Sequence, residues 1–134
     1  MKRFIPVLLS LLTLSIPSFG AGAASIRHSQ PLAILIAADW CTNCKIIKPK
    51  LHDAYQGFED KIDFVTLDVT DGARLAQAQK QADKLGQPGL LLGHFATGWV
   101  DLVDRNGKQA GELRQDMSVP QMRKTLQALL DKPG

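Results

Sequence analysis

Cysteine is scarce in this chain: two residues in 134, Cys41 and Cys44. A bridge between them would close too short a loop to constrain the unfolded chain much, which argues against a purely structural staple. A structural zinc site needs four ligands. The three histidines, His28, His52 and His94, lack the spacing of a finger or ribbon. His52 follows Cys44 by about two helical turns, too far to share one ion with it. His94 can approach only from a loop. A copper(I) site on the two sulfurs of Cys41 and Cys44 stays open as the weaker alternative to no metal at all. Basic runs never exceed two residues and do not interleave with aromatics, so nothing supports nucleic-acid binding. Internal repeats and low-complexity segments are absent.

Only one apolar run is long, and it stands at the start. Lys2 and Arg3 precede "FIPVLLSLLTLSI", 13 residues, and then "PSFGAGAA". A basic start, a short apolar stretch and small residues form the layout of a secretory signal peptide. The run is shorter than the ~20 residues a bilayer-crossing helix needs. Cleavage after Ala21-Gly22-Ala23 is expected, giving a signal peptide at 1–23 and one domain at 24–134. The alternative is an uncleaved anchor. Without Lys2 and Arg3, 14 basic residues face 13 acidic ones, a net charge near +1. Export to a bacterial periplasm is the expected location, with no stable membrane insertion after cleavage. That compartment is oxidising, so an accessible cysteine pair there tends toward the disulfide unless a reductant acts on it.

The rest reads as alternating elements. "PLAILIAAD", 31–39, is an apolar run of strand length, of the kind buried on both faces of a sheet. Ile46, Ile47, Leu51, Ala54, Tyr55 and Phe58 recur at helical spacing, which predicts a helix over 44–58 with Pro49 inside it. "IDFVTLDV", 62–69, reads as a strand, and 73–86 as a helix stopped by Gly86. Residues 87–98 fit a short strand or an irregular loop. "WVDLV" and "QAGEL" flank Asn106-Gly107, a hairpin signal. A last helix covers 118–130 with Ser118 as its cap. Strand, helix, strand, helix, hairpin, helix implies a mixed central sheet with helices on both faces, a three-layer α/β/α arrangement.

Cys41 and Cys44 sit where the first strand meets the first helix. The stretch "ADWCTNCK" with Pro49 five residues past Cys44 resembles the thioredoxin active-site signature: Trp40 before the first cysteine, Lys45 after the second, and a proline in the helix. "ADWC" together with "LDVTD" is similar to the C-terminal domain of the inner-membrane Dsb electron transporter. The resemblance covers residues 31–130. It implies a thioredoxin-like fold and a thiol–disulfide oxidoreductase, with protein thiols or disulfides as substrates, a membrane-bound thiol reductant as partner, and no cofactor beyond the Cys41–Cys44 disulfide. In that reading Cys41 is the exposed attacking thiolate and Cys44 the shielded, resolving thiol. The physical reason is that unpaired N–H groups and the positive end of a helix favour a thiolate at its first residue. Lys45 adds positive charge, and Trp40 offers an apolar surface to a partner. The context favours reduction of substrates. The other reading is a non-catalytic binding module, or a copper(I) chaperone using the same sulfurs.

Three departures from the pattern matter. Leu35 stands where thioredoxins carry a buried acid, and Thr66 where they carry its lysine; Asp39, expected on the surface, and Asp68 are the nearest acids in sequence. Opposite the cysteines, where thioredoxins have a cis-proline, counting back from the hairpin favours Thr97-Gly98 over Pro88. A glycine there leaves room for another backbone path and alters partner release. Residues 87–96 form an insertion near the site. Three side chains have plainer expected roles: His28 as a mobile N-terminal residue, Trp99 in hairpin packing, Asp101 on an exposed face.

Overall fold

The computed structural model describes residues 26–134. The expected leader and its cleavage point lie outside the described residues. Strand β1 (Leu32–Ala37) is buried along its whole length. It lies between β2 (Asp63–Asp68), which is parallel to it, and β3 (Trp99–Val103), which is antiparallel. A central strand has no solvated face, which is why its sequence is a continuous apolar run rather than an alternation. Strand β4 (Gln109–Leu113) completes the hairpin, and the sheet order is β2-β1-β3-β4.

Helix α1 (Thr42–Tyr55) starts two residues before the expected Cys44. Cys41 caps it: its Sγ accepts the Cys44 N–H at 3.0 Å. The helix stops at Tyr55, short of the expected Phe58. Gly57 turns the chain at φ +84°, and Phe58 is buried beyond the helix end. The last carbonyls of α1 would otherwise lack partners. Arg123, on a later helix, donates to the carbonyls of Ala54 at 3.1 Å and Gln56 at 2.8 Å. Helix α2 (Gly72–Lys84) is capped by Asp71, whose carboxylate accepts the Arg74 N–H at 2.9 Å. Helix α3 (Val119–Leu130) starts with a capping box between Ser118 and Gln121. The hairpin turns at Gly107, φ +78°, with the Asp104 carboxylate accepting the N–H groups of Asn106 and Lys108.

Helices α1 and α3 pack on each other and on one face of the sheet. Tyr55 of α1 stacks on Phe64 of β2 with ring centroids 3.7 Å apart. A side chain added at Gly111 of β4 would meet Thr125 of α3. Pairing register puts Ala33, Leu35, Val100, Leu102 and Leu113 on that face, and all five are buried. Helix α2 packs along β2. The chain after it, residues 85–98, contains neither helix nor strand and runs over the opposite face. There Ile36, Trp99, Asp101 and Glu112 are in register. The result is the mixed α/β sheet with helices that the sequence pattern implies.

Candidate functional site

The ends of β1, β2 and β3 meet the start of α1, and this junction holds both cysteines. The turn after β1 closes through the Cys41 N–H on the Ala38 carbonyl at 3.1 Å. It brings Cys41 onto the helix N-terminus. Cys41 and Cys44 are joined as a disulfide with Cα atoms 5.3 Å apart. When that bond is opened, the Cys44 N–H and the positive helix end favour negative charge on the Cys41 sulfur. Lys45 is exposed one residue further on, and Pro49 stands inside α1 four residues after it.

Both cysteines are buried, Cys41 at 3% exposure and Cys44 at 2%. Cys41 is therefore not the exposed residue that was expected. The chain opposite packs closely on the start of α1. The Gly98 N–H donates to the Ile36 carbonyl at 2.8 Å, which seats residues 97–98 on the helix start. A Cβ at Gly98 would lie 2.5 Å from the Cβ of Asn43 and 3.0 Å from the Cys44 nitrogen, and the residue has φ +76°. Only glycine fits this contact. Thr97-Gly98 thus lies opposite the cysteine pair, whereas Pro88 belongs to a cavity described below. The described residues contain no cis peptide bond.

Behind Cys44 the surroundings are apolar. Leu35 and Val100 are buried, and among the described residues no polar or charged side chain is. Leu35 pairs directly with Thr66, which is exposed. The Cys44 Sγ lies 3.9 Å from the Ile36 carbonyl. No carboxylate occupies the place of an internal base.

Trp40 is 62% exposed and its indole N–H donates to the Thr70 carbonyl at 2.9 Å. The Thr70 hydroxyl accepts the Asp39 N–H at 3.0 Å and donates to the Asp68 carboxylate at 2.6 Å. Those bonds, with the Arg74 guanidinium nearby, hold the Asp68 carboxyl below the usual range. Arg74 bridges Asp39 and Asp68, both at 3.2 Å. The loop after β2 therefore clasps the residues just before Cys41. The pattern "LDVTDGAR" shows part of this, since Asp71 before a helical run is a cap signal; the role of Thr70 was not legible. Lys50 was missed too. It looks like a solvated helix residue, yet its ammonium donates to the carbonyls of Gln115 at 2.6 Å and Met117 at 3.0 Å, tying the loop after β4 to α1.

His28, expected to be mobile, is packed in the structure: its backbone N–H donates to the Arg105 carbonyl at 2.8 Å, and its Nε2 is buried. Asp101 is half-buried rather than exposed, and burial pushes its carboxyl above the usual range. Trp99 does pack in the hairpin, beneath the Arg114 guanidinium, 4.5 Å from the ring centroid, and it also lines the cavity with His94. No group of three or more His, Cys, Asp or Glu side chains is placed to hold a metal among the described residues. A copper(I) ion would have to rely on Cys41 and Cys44 alone.

The family model for thioredoxin matches residues 21–92. Among curated proteins, the chloroplast thioredoxin-like protein HCF164 of Arabidopsis thaliana is 27% identical over 89 residues, 66% of this chain and 30% of that protein. The thiol:disulfide interchange protein TxlA of Synechococcus elongatus is 31% identical over 45 residues, 34% of this chain and 24% of TxlA. The chain thus spans less than a third of the length of these relatives. Oxidised thioredoxin O2 from Arabidopsis thaliana superposes with a TM-score of 0.52 at 17% identity, covering 81% of this chain and 83% of that one. MTB DsbF, in mixed oxidised and reduced forms, gives 0.51 at 18% identity over 75% and 81%. At such identities the two structures speak for the fold.

Proposed function

The chain belongs to the thioredoxin family, whose model matches more than half of it, and from that premise we propose that it reduces protein disulfides in a bacterial periplasm through Cys41 and Cys44. The observation that carries this reading is the cap: the sulfur of Cys41 receives the Cys44 N–H at the start of α1. In the reduced chain the Cys41 thiolate attacks one sulfur of a substrate disulfide. A mixed disulfide forms and the first substrate thiolate leaves. Cys44 gives up its proton and attacks the Cys41 sulfur. The second substrate thiolate leaves, the Cys41–Cys44 disulfide forms, and two electrons have passed to the substrate. With no buried acid beside Cys44, water takes its proton. A membrane-bound dithiol then restores the pair.

Trp40 and Ile46, both large and exposed at 62% and 46%, give the partner an apolar landing surface beside the cysteines. The leader-like start of the sequence supports export. Among the described residues no helix is long and apolar enough to cross a membrane.

Trapping tests the mechanism. A Cys44→Ser chain keeps the attacking sulfur and loses the resolving one, so it accumulates mixed disulfides with substrate proteins, visible as adducts on non-reducing gels. A Cys44→Ser chain that yields no more adducts than the cysteine-free Cys41→Ser, Cys44→Ser chain would rule the mechanism out.

A further inference from the structure

On the sheet face away from α1 and α3, the segment after α2 arches over β3 and β4 and leaves a cavity of about 440 Å³. That is within the range of binding clefts. Its walls include Leu90, Leu92, Phe95 and Trp99, and its polar groups include Asp101 and Glu112. Leu92 is 66% exposed, a large apolar side chain left in solvent. Ile36 also lines it, and the Ile36 carbonyl is the one that receives the Gly98 N–H and lies 3.9 Å from the Cys44 sulfur. Ile36 thus stands between the cavity and the Cys44 sulfur.

Its electrostatics are one cation short. Asp101 and Glu112 face each other across β3 and β4, an unfavourable pairing of like charges. Glu112 has Arg114 at 3.5 Å. Asp101 has only the neutral Gln109 amide at 2.9 Å, and among the described residues no cation pairs with it. An apolar occupant would bury this carboxylate further without compensation, which is costly. An anion would be repelled. A metal ion would find too few ligands. What fits is a cationic side chain entering between apolar walls.

We propose that this cavity is a specificity pocket for the substrate protein, taking a lysine or arginine side chain at Asp101 and a neighbouring apolar side chain against Leu92, Phe95 and Trp99. The choice of a polypeptide occupant rests on the reading that the chain acts on protein disulfides.

Binding tests the pocket apart from the chemistry. Two cysteine-free pentapeptides, one with lysine between leucines and one with norleucine in its place, are titrated calorimetrically into the oxidised chain. The lysine peptide binds roughly fivefold tighter, the scale of a partly solvated ion pair of ~1 kcal/mol. Asp101→Asn removes that preference; Glu112→Gln, whose carboxylate already has Arg114, reduces it less. Equal affinity for the two peptides, or a preference that survives Asp101→Asn, overturns the pocket. Butylamine binding as tightly as the lysine peptide overturns the polypeptide as occupant. Insulin reduction by the reduced wild-type chain is measured in parallel. Reduction without a lysine preference removes the pocket alone. A lysine preference without reduction keeps the cation site and removes the oxidoreductase reading.

Discussion

The two faces of the sheet are built differently. Under α1 and α3 the face is closed: Leu35, Val100, Leu102, Leu113, Met122 and Leu126 are all buried. On the other face the chain between α2 and β3 has no regular structure, and it leaves aromatic rings and a half-buried carboxylate beside a cavity. The closed face holds α1 and therefore the position of its N-terminus. The cysteines sit at the seam, with Gly98 from the open side pressed on the helix start. The difference teaches a division of labour. One face fixes the sulfur geometry; the other is free to vary in what it recognises.

Substitutions can break or sharpen that division. The largest effect belongs to the closed face. Met122 is fully buried on α3, so Met122→Ala leaves a cavity and costs about 2–5 kcal/mol of stability in denaturant unfolding. A much smaller loss would mean that α3 is not what seals this face. At the seam, Gly98→Ala puts a Cβ against Asn43 and a side chain at φ +76°. Strain of this kind costs about 1–3 kcal/mol. The rate of disulfide exchange by the folded chain is expected to fall as the helix start shifts, and unchanged exchange would show that Gly98 does not position the pair. The smallest effect lies on the open face. Burial raises the Asp101 carboxyl, so its charge costs the folded state stability above that raised value. The cost is relieved as pH falls and the folded carboxyl takes up its proton. Asp101→Asn is therefore expected to raise Tm at pH 7 by no more than ~4 °C. The gap to wild type should close as the pH approaches the ordinary aspartate value of ~4. A lower Tm at pH 7 would mean that Asp101 stabilises the hairpin.

The closed face was largely legible in the sequence. β1 announces itself as an apolar run, α3 by its cap and spacing, and the hairpin by Asn106-Gly107. Even the neighbour behind the site could be read, because a strand register is discrete: Leu35 pairs with Thr66 as counted. What escaped were properties that depend on distant chain segments meeting. Cys41 is buried, a property of the folded site that the motif alone does not carry. Thr70 and Lys50 act on backbone groups far along the chain. Asp101 reads as a solvent-facing break in an apolar strand, and only the arch of residues 85–98 over the sheet half-buries it. The packing of His28 escaped for the same reason, since its partner Arg105 lies in the hairpin.

The central claim is that Cys41 and Cys44 form a working redox pair and not an inert staple. The direct measurement is insulin reduction with dithiothreitol as electron source, comparing wild type with Cys41→Ser at equal concentration. The account predicts turnover by wild type and none above the uncatalysed background for Cys41→Ser. Full activity in the Cys41→Ser chain would contradict it.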